Sequence, residues 1–71
     1  MTALEIISKI RSAHPEMRLA VSAKGTEIGL WEREYGFYPY IAQTIVGGWV
    51  WVARDYLVNG QKIERNWKEV V

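Results

Sequence analysis

The sequence predicts an α+β fold in which one N-terminal helix packs on an antiparallel β-meander of about five strands. Three observations lead to this prediction: an amphipathic run at the start, alternating apolar and polar runs after it, and glycine-containing turn signals between those runs. With 71 residues, the chain is long enough for one small domain, with a helix over about 2–13 and a sheet over about 17–68.

The helix is predicted from its capping residues and its apolar spacing. Thr2 and Glu5 have the spacing of a capping box, in which each side chain binds the other residue's backbone amide. Apolar residues recur at helical intervals at Leu4, Ile7 and Ile10. Pro15 disfavours helical geometry at the residue before it, so we expect the helix to end near Ala13.

Two alternating runs follow the helix and are predicted to form a hairpin. They are "MRLAVSA" (17–23) and "IGLWER" (28–33), and Gly25 lies in the turn between them. "YGFYPY" (35–40) is predicted to be a loop or a bulged strand end, because Gly36 and Pro39 interrupt it. "YIAQTIV" (40–46) is the predicted third strand, although periodicity alone also allows a helix there.

The end of the chain is predicted to add two more strands. Gly47-Gly48 is a candidate turn, "WVWVARDYLV" (49–58) the fourth strand, and "QKIERNW" (61–67) the last strand after the strong Asn59-Gly60 turn signal. A two-residue turn there would place like charges opposite each other, in the pairs Arg54 with Arg65 and Asp55 with Glu64. We therefore expect either a bulge or shifted register, or side chains that splay into water.

The chain has no charged side chain between Glu34 and Arg54. A stretch of this length raises the question of a membrane span, which needs about 20 apolar residues. Gly36, Pro39 and Gly47-Gly48 interrupt the stretch, and two strands joined by a turn explain it better.

Both faces of the predicted fourth strand are apolar, which is unusual for an antiparallel sheet with one solvated side. Trp49 and Trp51 are expected to lie on one face together with Trp31. The valines are expected under the helix; this predicted core comprises Val50, Val52, Leu19, Val21, Ile28 and Leu30. The tryptophan face has three interpretations: a second small core closed by the "YGFYPY" loop, a homodimer interface, or a binding site for another macromolecule.

Composition excludes several classes of protein. The chain has no cysteine and a single histidine, so we expect neither a disulfide framework nor a zinc site. Its net charge of +1, with basic and acidic residues interleaved, does not indicate strong attraction to nucleic acid. The first residues lack the features of a signal peptide, and we expect a cytoplasmic protein that does not enter a membrane.

No residue pattern indicates catalysis or a cofactor. His14 could titrate near neutral pH, but a helix end explains it, because a histidine cation complements the helix dipole there. Glu32 and Glu34 could share one strand face as a carboxylate pair, although a solvated strand end explains them as well. The glycine-containing pieces match no phosphate-binding motif, so we expect no cofactor and no enzyme.

The aromatic composition instead points to a partner. Tyrosine and tryptophan supply large contact areas with few rotatable bonds, which is why they are enriched at binding surfaces. The predicted partner-binding residues are Trp31, Arg33, Tyr35, Phe37, Tyr38, Tyr40, Trp49 and Trp51.

The predicted function is non-enzymatic protein binding, as a small inhibitor or regulator of a larger host protein or complex. The main alternative is a single-stranded nucleic-acid binder that uses aromatic and arginine side chains on one sheet face, and an enzyme subunit is a third. In size, lack of cysteine and aromatic density, the chain is similar to small phage-encoded or regulatory proteins that bind one host protein. No motif carries a resemblance to a particular family.

Overall fold

A computed structural model describes residues 1–34, 36–52 and 66–71. These residues form one helix and a five-stranded sheet, in which every pairing is antiparallel. The predicted α+β fold class is therefore confirmed. The elements are α1 (Ala3–Ala13), β1 (Leu19–Val21), β2 (Glu27–Glu32), β3 (Gly36–Gln43), β4 (Trp49–Trp51) and β5 (Lys68–Val70).

Helix α1 begins and ends as its capping residues predict. The Glu5 amide donates to the Thr2 hydroxyl at 3.3 Å, and the Thr2 amide donates to the Glu5 carboxylate at 3.2 Å. Two hydrogen bonds from Thr2 lower the pKa of the Glu5 carboxyl below its usual value, and the one from the backbone amide has a larger effect than the one from the hydroxyl. At the other end His14 is the C-cap, and its amide donates to the Ile10 carbonyl at 2.8 Å.

The strands lie in the order β4-β3-β2-β1-β5. The first four follow the chain as a meander, whereas β5 pairs with β1, so that Val70 lies opposite Leu19. Strand β5 therefore lies at the opposite end of this order from β4. The predicted Asn59-Gly60 hairpin and its like-charge pairs fall within residues 53–65, outside the described part of the chain.

The core lies between α1 and one face of the sheet, which we call the helix face. Ala3 and Ile7 of the helix are buried there against three strand residues, Leu19, Ile28 and Ile41. These three residues come from β1, β2 and β3, so one short helix covers the three middle strands of the sheet. The opposite side of the sheet is called the outer face below.

The segment "YGFYPY", predicted to be a loop or a bulged strand end, is from Gly36 onward part of β3 and contains a bulge. Pro39 is tolerated there because the register between β2 and β3 shifts beside it: Ile28 pairs with Ile41 but Gly29 pairs with Pro39. Proline is found at such bulges because the regular pattern of strand hydrogen bonds is already interrupted. The extra residue is Tyr40, and it becomes important for the placement of the tryptophans.

Candidate partner-binding surface

The predicted cluster of three tryptophans does not form, because the sheet divides them between its two faces. Trp31 lies opposite Phe37 on the outer face. Trp49 lies opposite Gln43 and Trp51 opposite Ile41, and Ile41 belongs to the core under α1. The prediction that Trp31 joins Trp49 and Trp51 is therefore wrong.

The bulge at Tyr40 is the physical reason for this division. Side chains alternate between faces along a strand, and one extra residue shifts the alternation for everything beyond it. Tyr40 and Ile41 both contact the core. The residues of β4 that pair beyond the bulge, Trp49 and Trp51, are thereby brought to the helix face.

Trp49 and Val50 exchange the roles that the sequence predicts for them. The Trp49 indole is half-buried against the core, and its Nε1 donates to the Met1 carbonyl at 2.9 Å. Val50, predicted to lie under the helix, projects from the outer face and is 50% exposed. Trp49 thus serves as the packing residue beneath the start of α1.

Trp51 is the most exposed of the described tryptophans. Its side chain is 68% accessible to solvent although it lies on the helix face. Tyr40 supports it from the neighbouring strand with an edge-to-face contact, with ring centroids 4.8 Å apart and planes at 77°. Such a pair orients the indole before any partner is bound.

A tryptophan side chain of the domain itself covers the centre of the outer face. Ala20, Gly29 and Pro39 form a row across β1, β2 and β3, and all three are buried. The Trp67 ring lies over Gly29 in the middle of this row, with three of its atoms 2.9–3.1 Å from the position that a Cβ on Gly29 would take. An indole next to β5, and not a folded-over aromatic loop, therefore closes this part of the sheet.

Arg18, the residue before β1, binds a side chain of β5 on the outer face. Its guanidinium donates to both carboxylate oxygens of Glu69, at 2.9 and 2.8 Å. It also lies 4.2 Å from the Trp31 ring centroid and 5.7 Å from that of Phe37. The hydrogen bonds lower the pKa of the Glu69 carboxyl and raise that of the Arg18 guanidinium.

The remaining predicted partner residues lie apart from one another. Arg33 is exposed in the turn that follows β2, and Tyr35 falls outside the described residues. Tyr38 is half-buried in β3, opposite Leu30. The predicted set therefore spans both faces and one turn of the sheet, and does not form a single patch.

Sequence reasoning missed two exposed apolar residues, Ile45 and Val46. The predicted third strand included both, but β3 ends at Gln43 and they form the tip of the β3–β4 hairpin. They are 105% and 93% exposed. The Gly47-Gly48 pair predicts a turn here, and extending that turn to the two residues before the glycines gives the position of the tip.

The titratable candidates lie at the ends of elements. The His14 imidazole is exposed, with its Nδ1 3.7 Å from the Glu16 carboxylate. Glu32 is the last residue of β2, and Glu34 is exposed in the following turn. Among the described residues, no three histidine, cysteine or acidic side chains are grouped closely enough to hold a metal ion.

Within the same residues, no helix has the length and apolar character that crossing a bilayer requires. Comparison with known proteins adds no assignment: no protein-family model matches the chain, and neither does any curated protein or solved structure.

Proposed function

We propose that this chain is a non-enzymatic protein-binding module, a small cytoplasmic inhibitor or regulator of a larger protein or complex. The β3–β4 hairpin, Gly36–Trp51, is the central part of its binding surface. The observation that carries the proposal is the exposure of Val50 and Trp51 on a hairpin that has no charged side chain.

This combination is typical of the centre of a protein–protein interface. Such centres are depleted in charged residues and enriched in aromatic ones, and tryptophan is among the most frequent hot-spot residues. The edge-to-face contact with Tyr40 holds Trp51 in place while most of its surface remains accessible. A partner can therefore bury the indole with little loss of side-chain entropy.

The nucleic-acid alternative receives less support from the same geometry. Binding to phosphates requires cationic side chains, and the hairpin has none. The described arginine nearest to an exposed aromatic ring is Arg18, and its Nε and one terminal nitrogen already donate to the Glu69 carboxylate. Its guanidinium also lies over Trp31, on the ring that a base would otherwise stack against.

The test compares protein capture by Trp51→Ala with capture by a matched control. Immobilised wild-type chain is incubated with lysate of the organism that encodes it, and retained proteins are identified by mass spectrometry. We expect one protein to be retained by wild type and by Leu4→Ala, but lost with Trp51→Ala. Leu4 is a suitable control because it is 59% exposed, similar to Trp51, but lies on the helix.

The affinity of the purified pair then gives the magnitude. Removal of a tryptophan hot spot costs about 2 kcal/mol or more, which corresponds to about a 30-fold increase in Kd. Thermal unfolding of each variant confirms that it is folded. Equal retention by Trp51→Ala and wild type would remove the hairpin from the binding surface.

Two further measurements distinguish the alternatives. Fluorescent single-stranded oligonucleotides should not bind to the purified chain at physiological salt. A salt-sensitive micromolar Kd would favour the hypothesis of a nucleic-acid binder instead. Light scattering after gel filtration should give the mass of one chain. A dimer that dissociates in Trp51→Ala would assign the surface to a second copy.

A further inference from the structure

The tip of the β3–β4 hairpin is a well-defined turn with an unusual composition. The Gly47 amide donates to the Thr44 carbonyl at 2.9 Å, and the Thr44 amide donates to the Gly48 carbonyl at 2.7 Å. Gly47 has a φ of 90°, whereas Ile45 and Val46 have negative φ. This is the pattern of a three-residue hairpin loop, a turn followed by a glycine in the left-handed region.

The two central positions of such a turn are usually occupied by polar residues. Asparagine, aspartate, serine, glycine and proline dominate turns because their side chains or backbones favour the required conformation. Ile45 and Val46 are β-branched, and residues of this type favour extended backbone. The local sequence therefore runs against the structure that it adopts.

Among the described residues, no packing contact with the core compensates for this choice. Neither residue belongs to the core or to the partly buried side chains packed against it, and both are almost completely exposed. A third hydrogen bond holds the tip, because the Gln43 side-chain amide donates to the Gly47 carbonyl at 3.3 Å. Departures from local preference without a folding benefit are expected at functional positions.

We propose that the hairpin tip inserts into an apolar, uncharged cleft of a partner protein, with Ile45 and Val46 as the anchoring side chains. The inference rests on the proposed protein-binding function and adds the residues that enter the partner and the shape of its site. The hydrogen bonds of the turn hold the backbone of both residues in a defined conformation, which lowers the entropic cost of binding.

A cleft fits the hairpin better than a flat surface does. Exposed apolar side chains lie on the outer face at Val50, on the helix face at Trp51, and at the tip between them. A flat partner buries one of these at a time, whereas a concave one can surround all three. The absence of charge along Gly36–Val52 means that the cleft requires no countercharge.

The same absence of charge argues against a lipid surface. Peripheral insertion of a few apolar side chains is weak unless basic residues add attraction to anionic headgroups. The hairpin has no lysine or arginine. A protein cleft can instead exclude water from the whole tip and hold it through packing alone.

The test replaces both anchors by residues that suit the turn. Ile45→Asn/Val46→Asn should remain folded, with a melting temperature equal to or above that of wild type, since asparagine is favoured in turns. Its affinity for the captured partner should fall about 100-fold, because burying each aliphatic side chain corresponds to about tenfold or more. Leu4→Gln is the control and should bind as wild type does.

The outcomes separate this inference from the proposed function. Loss of the partner with Trp51→Ala but full retention with the asparagine variant would overturn the tip as anchor and leave the protein-binding function intact. If wild type retains no protein from the lysate, both proposals fail.

A photoreactive probe identifies what the tip contacts. A diazirine-bearing aliphatic residue at position 46 should cross-link, on illumination in lysate, to apolar side chains of the retained protein. Cross-links to a second copy of the chain, or tip-dependent sedimentation with phosphatidylcholine vesicles, would overturn the proposal. Cross-links to charged surface residues of the partner would also overturn the apolar cleft.

Discussion

Gly29 is the position where adding one methyl group tests the packing of the outer face. A Cβ placed there would lie 2.9–3.1 Å from three carbon atoms of the Trp67 ring, closer than carbon atoms normally approach. The φ of Gly29 lies outside the left-handed range, so alanine fits the backbone itself. The effect of Gly29→Ala should therefore come from Trp67.

The magnitude follows from two opposing contributions. Replacing a strand glycine by alanine stabilises by about 0.5–1 kcal/mol when there is room, because the unfolded chain loses freedom. Overpacking against a ring typically costs about 1–3 kcal/mol. We expect a net destabilisation of about 1–2 kcal/mol, which lowers the melting temperature by about 4–16 °C in a domain of this size.

The assay is urea unfolding followed by far-UV circular dichroism, with a double-mutant cycle. In a Trp67→Leu background, Gly29→Ala should be neutral or stabilising, giving a coupling free energy of about 1–3 kcal/mol. Gly48→Ala is the control, since a Cβ there meets its nearest neighbour, the Thr44 hydroxyl, at 3.4 Å. A Gly29→Ala variant as stable as wild type in the presence of Trp67 would refute the packing of this indole on β2.

Three further perturbations test the helix, the β4 tryptophans and the Arg18–Glu69 pair. Ile7→Asp should unfold the domain, seen as loss of the cooperative thermal transition, because an unpaired carboxylate would replace a side chain that is buried in the core. Trp49→Ala should lower the free energy of unfolding by about 2 kcal/mol, and Trp51→Ala by less than about 1 kcal/mol, because only Trp49 packs on the core. The pKa of Glu69 is lower in the folded protein than the usual glutamate pKa near 4.5. Its ion pair with Arg18 therefore stabilises the fold fully at pH values above 4.5, and this stabilisation is lost as the pH falls through the pKa of the folded state. In acid titrations, Glu69→Gln should therefore be less sensitive to pH than wild type in this range, and an unchanged profile would mean that Arg18 does not hold Glu69 in solution.

The sequence predicts the elements whose signals are local. Thr2, Glu5 and Pro15 determine where α1 begins and ends, and both ends agree with the structure to within about one residue. The turns at Gly25 and Gly47 are also found, because a positive φ is a requirement that few residues other than glycine meet. Fold class follows from these elements and their order.

The placement of the tryptophans could not be predicted in the same way. It depends on the register between β2 and β3, and a single unpaired residue at Tyr40 reverses the faces of β4. Pro39 indicates that a bulge is needed but not on which side of it the extra residue lies. The sequence therefore places Trp49, Val50 and Trp51 on the wrong faces and omits the exposed Ile45 and Val46.

The pairing of β5 with β1 is a second feature beyond local reasoning. Glu69 of β5 is far from Arg18 in sequence, and the contact between them depends on the path of the whole chain. Likewise, nothing near Gly29 indicates that Trp67 covers it. Long-range contacts of this kind decide which apolar surface is covered within the domain, and hence which surface remains available to a partner.

Much of the exposed apolar surface of the described residues lies on the β3–β4 hairpin, because other side chains of the domain cover the middle of the sheet. One short helix covers the helix face from β1 to β3, and Trp67 covers the small residues at the centre of the outer face. Arg18 lies over Trp31 and reduces what that indole offers to a partner. These contacts lie near the middle of the sheet, and on β4 they reach only Trp49, whereas Val50, Trp51 and the β3–β4 turn extend beyond them. Because a domain of this size has few apolar side chains to spare for its own core, those left exposed on the hairpin are the ones that the proposed partner would bury.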